Sequence, residues 1–252
     1  MESSLVRWGI PAIALLLAAA FAVGVARAES ALGTEARVRA RRILFASAGV
    51  ALYLAAIAAV GLSGVLTRFD LRPPPFMLLV VVTLGLTLAV ALSSVGRRLA
   101  TGLPLAALVG FQAFRLPLEL VMHRAANDGL MPSVMSWGGG NFDVVSGITA
   151  LLLGAALPFG SVPRWVIFAW NLLGSVLLLV IAAIAIAASP IFRAFGDDQL
   201  NVWVTRFPYT WMSVMVAAAL FGHVLVARRL RTDARAGSQS SLKASQTSGD
   251  GA

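Results

Sequence analysis

Gln112, Arg115, Glu119 and His123 sit in a long apolar stretch that runs from Leu103 to Asp143. On a helix turning about 100° per residue, these four fall within roughly 80° of one another and make one polar stripe. An arginine near the middle of a bilayer costs about 2.5–3.5 kcal/mol on insertion scales, so a partner, water or a bound guest must offset it. Two chemistries fit. In the first, Arg115 and Glu119, one turn apart, form an intrahelical ion pair that makes the helix insertable. His123 is then an interface residue, and Asn141 with Asp143 a helix cap. In the second, Arg115 binds an anionic or polar head group while Glu119 and His123 handle a proton or orient the ligand. Asn141 and Asp143 lie on the same side of the membrane and join that site, and the segment around Trp137 covers it.

The elements that must position these residues follow from composition. The chain of 252 residues is 59% hydrophobic and 12% charged, with a mean hydropathy of +0.86. That excludes a soluble domain and predicts an all-α, polytopic transmembrane bundle whose first partner is the lipid bilayer. A net charge of +9 raises nucleic acid as a partner. The basic residues, however, alternate with apolar runs and gather in the tail, so no nucleic-acid binding is expected. The absence of cysteine excludes disulfides, thiolate metal sites and cysteine nucleophiles.

Apolar windows of about 20 residues predict seven spans, near Trp8 to Ala26, Ile43 to Leu66, Phe76 to Val95, Leu103 to His123, Val144 to Gly160, Trp165 to Ala188 and Tyr209 to Ala227. The fifth is the shortest. Between spans one and two lie Arg27, Arg37, Arg39, Arg41 and Arg42; between three and four, Arg97 and Arg98; between five and six, Arg164; after seven, Arg228, Arg229, Arg231, Arg235 and Lys243. The opposite side holds Arg7, Arg68, Arg72, Arg124, Arg193 and Arg206. Positive-inside bias therefore puts the amino terminus outside and the carboxyl terminus in the cytoplasm. Ala26, Arg27 and Ala28 resemble a signal-peptidase site, but the charge distribution favours keeping all seven spans. Residues 1–235 are expected to form the transmembrane domain and 236–252 a disordered polar cytoplasmic tail.

Within span four, Pro117 removes the bond to the carbonyl of Ala113 and predicts a kink there. Gly138, Gly139 and Gly140 let backbone approach closely, and Asn141 suits the N-cap of span five. The long connection from Ser189 to Pro208 is expected to lie in the outer interface as a cover. Asn171 in span six and His223, expected near the cytoplasmic end of span seven, are read as packing residues.

Several chemistries are excluded. A retinal Schiff base needs a lysine in the last helix, and the only lysine is Lys243 in the tail. His123 and His223 are expected at opposite faces, against a shared haem or metal, so neither metal nor cofactor is expected. No P-loop or dinucleotide fingerprint is present. The run Phe114, Arg115, Leu116, Pro117, Leu118, Glu119, Leu120, followed by Asn141, Phe142 and Asp143, resembles a pattern in small uncharacterised bacterial integral membrane proteins. The likeness covers mainly residues 111–150 and implies a multi-pass protein without adding chemistry. The functional expectation is binding or transport of a small polar or amphiphilic molecule from an outward-facing pocket in a bacterial cytoplasmic (inner) membrane. The alternatives are a structural or assembly subunit meeting another membrane protein and, with least support, an intramembrane enzyme using Glu119 and His123 as acid and base.

Overall fold

The computed structural model describes the backbone of residues 3–160 and 162–249, with side chains up to residue 235. It is 78% helical, with no strand among the described residues. Two helices rich in Ala, Leu and Val open the chain, α1 (Ser4–Ala31) and α2 (Ala36–Leu62), joined by a turn in which Gly33 takes a positive φ of 64°. Next comes α3 (Pro75–Leu92), which starts on a proline, where a missing N–H costs nothing. Ser93 then caps the short helix α4 (Ser94–Gly102), its Oγ accepting from the Val95 N–H at 3.1 Å.

The fourth apolar segment is broken into α5 (Leu105–Gly110), a 3₁₀ stretch over Phe111–Phe114, and α6 (Arg115–Asn127). The irregularity falls one turn before Pro117 instead of at it. Pro117 sits in the first turn of α6, where its lost N–H is tolerated, and the chain tightens ahead of it. The remaining helices are α7 (Asp143–Ala156), α8 (Arg164–Ala187) and α9 (Met212–Gly249). The expected tail, 236–252, falls where side chains lie outside the described residues, and from 250 onward the backbone does too.

Among the described residues, six helical segments are long and apolar enough to cross a membrane: α1, α2, α3, Leu105–Asn127, α8 and Tyr209–Arg235. At 14 residues, α7 is about 21 Å long, short of the ~30 Å hydrocarbon core. Large apolar side chains such as Trp8, Leu16, Leu52, Phe168 and Leu179 point outward, as lipid-facing residues do. Inside, one apolar cluster gathers Ile10, Leu118, Met122, Trp203 and Met215, and a second gathers Val25, Leu99, Val109, Ile167 and Val226.

The bundle has two chemically distinct ends. At the loop face, the Ser3 N–H donates to Asp128 at 3.0 Å and Trp211 Nε1 donates to the Leu54 carbonyl at 3.0 Å. At the arginine face, Arg228 donates to the carbonyls of Ala91 and Ser93, Arg229 to that of Leu103 and Arg164 to that of Leu230. The guanidiniums of Arg228 and Arg229 satisfy carbonyls that the ends of α3 and α4 leave free and complement the negative ends of those helix dipoles.

Candidate functional site

Close approach of α7 to the fourth segment assembles the site. The two run antiparallel, with Gly154 against Gly110 and Gly147 against Leu116; a Cβ at Gly154 would sit 2.7 Å from the Gly110 Cα. That register carries Asp143, the first residue of α7, to Arg115. The guanidinium is fully buried. Its Nη1 donates to Asp143 Oδ1 at 2.5 Å and, weakly, to the Gly174 carbonyl at 3.5 Å, while Nη2 lies 3.2 Å from His223 Nε2.

A guanidinium can only donate, so His223 Nε2 accepts. The remaining ring proton is then on Nδ1, which donates to Asn171 Oδ1 at 2.9 Å. Gly174 makes room for this imidazole: a Cβ there would come within 2.5 Å of His223 Cε1. Nε of Arg115 is buried without a partner.

Arg115 therefore does not pair with Glu119, as an intrahelical bridge would require. Both oxygens of Glu119 instead accept from Asn141 Nδ2, at 2.8 and 2.9 Å, and the same nitrogen reaches the Met135 carbonyl at 3.1 Å. Asn141 Oδ1 also accepts from the Asp143 N–H at 2.9 Å. One amide thus ties α6, the segment after it and the start of α7 together, one residue earlier than an N-cap. Glu119, Asn141 and Asp143 are almost fully buried. The cluster holds one guanidinium against two carboxylates, and the partner left over for Glu119 is a neutral amide.

Beside the cluster lies a cavity of about 150 Å³, a volume in which an apolar site holds a benzene-sized guest. Its walls are almost wholly apolar, with Leu79, Val80, Met122, Ile181 and Met215 among them, and Arg115, Glu119 and Asp143 reach it at one end. Asn201, Val204 and Thr210 line the end toward the loop face. The helices α3 and α8 both line the cavity and pack on α9, but not extensively on each other.

Comparison with protein-family models, curated proteins and solved structures finds no match. The geometry alone carries the functional argument.

Of the six residues singled out by sequence, Arg115, Glu119 and Asp143 reach the cavity, and Asn141 holds Glu119 from behind. Gln112 is buried one turn away, its Nε2 donating to the Ala219 carbonyl at 2.9 Å, and serves the packing of α9. His123 stacks on Trp137 with ring centroids 4.3 Å apart, away from the cavity lining. The loop's covering residue is Met135, not Trp137. In the connection from Ser189 to Pro208, residues 191–198 stay exposed, while the part that follows folds inward, with Asn201 Nδ2 donating to the Ala185 carbonyl at 3.0 Å and Trp203 buried.

Asn171 and His223, expected to be packing residues, belong to the charged network. His223, expected near the cytoplasmic end of its span, reaches Arg115 and Asn171 among the packed helices, where it is buried. A polar side chain within a span is itself the signal that identifies such residues. Glu29 was also missed. It is buried at the arginine face, where Arg98 grips it through two bonds of 2.6 Å, Arg42 donates at 2.7 Å and Thr34 at 2.6 Å. Among the described residues, no three side chains of metal-ligating type come together.

Proposed function

We propose that this protein binds an amphiphilic molecule whose hydrogen-bond-donating head, an amine or a hydroxyl, meets Glu119 and whose apolar body fills the cavity beside the fourth segment. The observation that carries this reading is a cavity with apolar walls and a carboxylate at one end, held only by the Asn141 amide. Both Nη atoms of Arg115 are engaged by Asp143, His223 and Gly174, which argues against an anionic head group at this position. Sparse packing between α3 and α8 offers entry from the lipid, as an amphiphile needs.

The membrane setting belongs to the same proposal. The protein is a multi-pass resident of a bacterial cytoplasmic membrane, with the loop face outside and the arginine face in the cytoplasm. The short helix α7 serves as a fifth of seven passes. In support, Arg164 at the start of α8 bonds to Leu230 at the arginine face, so the chain must return there after leaving the loop face at Asp143. The clustering of arginines on that face agrees with positive-inside bias.

The test uses decylamine, decanol and decanoate as probes on detergent-solubilised protein, read by thermal shift. The amine and the alcohol should raise the Tm of the wild type and leave that of Glu119→Gln unchanged, while decanoate raises neither. Because Arg115 does not depend on Glu119, the unliganded Glu119→Gln protein should melt close to the wild type. Stabilisation by decanoate, or equal stabilisation of Glu119→Gln by the amine, would overturn the reading.

A further inference from the structure

A second and larger cavity, of about 820 Å³, lies nearer the arginine face, in a trough bounded by α1, α2, α3, α4 and α9. Its size is within the range of about 300–1,000 Å³ typical of ligand pockets. Leu17, Phe21, Val50, Leu86 and Phe221 give it an apolar floor and walls. The helices α2 and α3 meet at the Tyr53 hydroxyl, which donates to Thr83 Oγ1 at 3.2 Å, and otherwise do not pack extensively on each other.

Its end at the arginine face is rimmed by Arg41, Arg42, Arg97 and Arg98, with Glu29 as the one carboxylate among them. That carboxylate is already taken by Arg98 and Arg42. Arg41 and Arg97 are exposed and form no ion pair among the described residues; Arg41 lies over the ring of Phe45 at 5.7 Å. Halfway along the trough, Gly49 faces open space, since a Cβ there would meet nothing within 4 Å.

We propose that this trough seats one anionic phospholipid, its acyl chain along the apolar walls and its phosphate between Arg41 and Arg97. Charge complementarity selects the occupant. Four guanidiniums against one carboxylate leave an excess positive charge at the depth where lipid phosphates lie, and basic pockets between membrane helices on such a face bind anionic head groups. The apolar body of the trough distinguishes this seat from a site for a free anion. It is independent of the Glu119 cavity, which shares none of its lining residues and faces a carboxylate.

The experiment is native mass spectrometry of detergent-solubilised protein titrated with dioleoylphosphatidylglycerol or dioleoylphosphatidylcholine, which share acyl chains and differ in head group. The wild type should retain one phosphatidylglycerol about tenfold more tightly than phosphatidylcholine. The double variant Arg41→Gln/Arg97→Gln should lose that preference. A control with the same loss of charge on exposed arginines outside the trough lining, Arg37→Gln/Arg231→Gln, should keep it. Gly49→Phe, which fills the trough without touching a charge, should also abolish the retained lipid. Inorganic phosphate should not displace it. Equal retention of both lipids, loss of preference in the control pair, full retention by Gly49→Phe, or displacement by inorganic phosphate would each overturn the proposal.

Discussion

The two charged regions of this bundle solve the same problem in opposite ways. Around Arg115, at mid-span, one guanidinium faces two carboxylates, and every group involved is buried among helices. Around Glu29, at the arginine face, one buried carboxylate draws in arginines that stay partly in solvent: the Arg98 side chain is 30% exposed and that of Arg42 43%. Deep in the bundle a charge without water must be met by rigid donors and acceptors on several helices, since an unpaired buried charge costs several kcal/mol. Near the interface, long arginine stems let the charged head keep contact with water while the chain packs on apolar walls. The first arrangement fixes helix positions; the second leaves positive charge available to bind something else.

The comparison is most sharply broken at Arg115. Replacing it by Met strands the Asp143 carboxylate and removes the acceptor role of His223, with a cost of about 3–5 kcal/mol. Arg115→Met should lower the Tm steeply or abolish folded yield in size-exclusion chromatography. Adding Asp143→Asn should restore part of the loss, because the double variant no longer buries a lone carboxylate. A single variant that melts like the wild type would mean that the network does not hold the helices together.

Glu29→Gln should cost less, although the carboxylate accepts four bonds. Its arginine partners retain water and can be resolvated, so the expected loss is about 1–3 kcal/mol, the range for hydrogen bonds to a charged group. Tm measurements on both variants test the ranking. If Glu29→Gln proved the more damaging, interface charges would count for more here than depth does.

How much of this was legible in the sequence follows the same division. The apolar periodicity announced a helical membrane protein, and the stripe from Gln112 to His123 marked the segment that carries the site. What the stripe could not reveal was its partners. A regular helix places Arg115 and Glu119 on one face, but the 3₁₀ turn at Phe111–Phe114 and the close glycine contacts of α7 bring Asp143 to Arg115 and leave Glu119 to Asn141. Such pairing depends on the register between helices separated by a loop, which no periodicity encodes. His223 escaped for the same reason: hydropathy places it near the end of its span, but its partners Arg115 and Asn171 come from two other helices. Glu29 was hidden by its arginine-rich neighbourhood, which reads as a solvated loop.

Asp128 supplies the mildest case and sharpens the comparison outside the membrane. The backbone N–H of Ser3, first among its causes, and the guanidinium of Arg124 hold its carboxyl below the usual aspartate range. A carboxyl with a lowered folded-state value contributes stability above the unfolded value, near 3.9, and loses it as pH falls through the lowered value. The difference in Tm between the wild type and Asp128→Asn should therefore be small and constant from neutral pH down to about 5, then shrink on further acidification. It should also shrink in high salt, because a charge at the surface is screened. Amide exchange over the first turn of α1 gives a local readout: Asp128→Asn should speed exchange at Val6 and Arg7, whose N–H groups bond to the Ser3 carbonyl at 3.1 and 3.2 Å, with the middle of α1 unchanged. Faster exchange along the whole helix would instead mean that a surface contact governs the packing of α1, contrary to the ranking by depth.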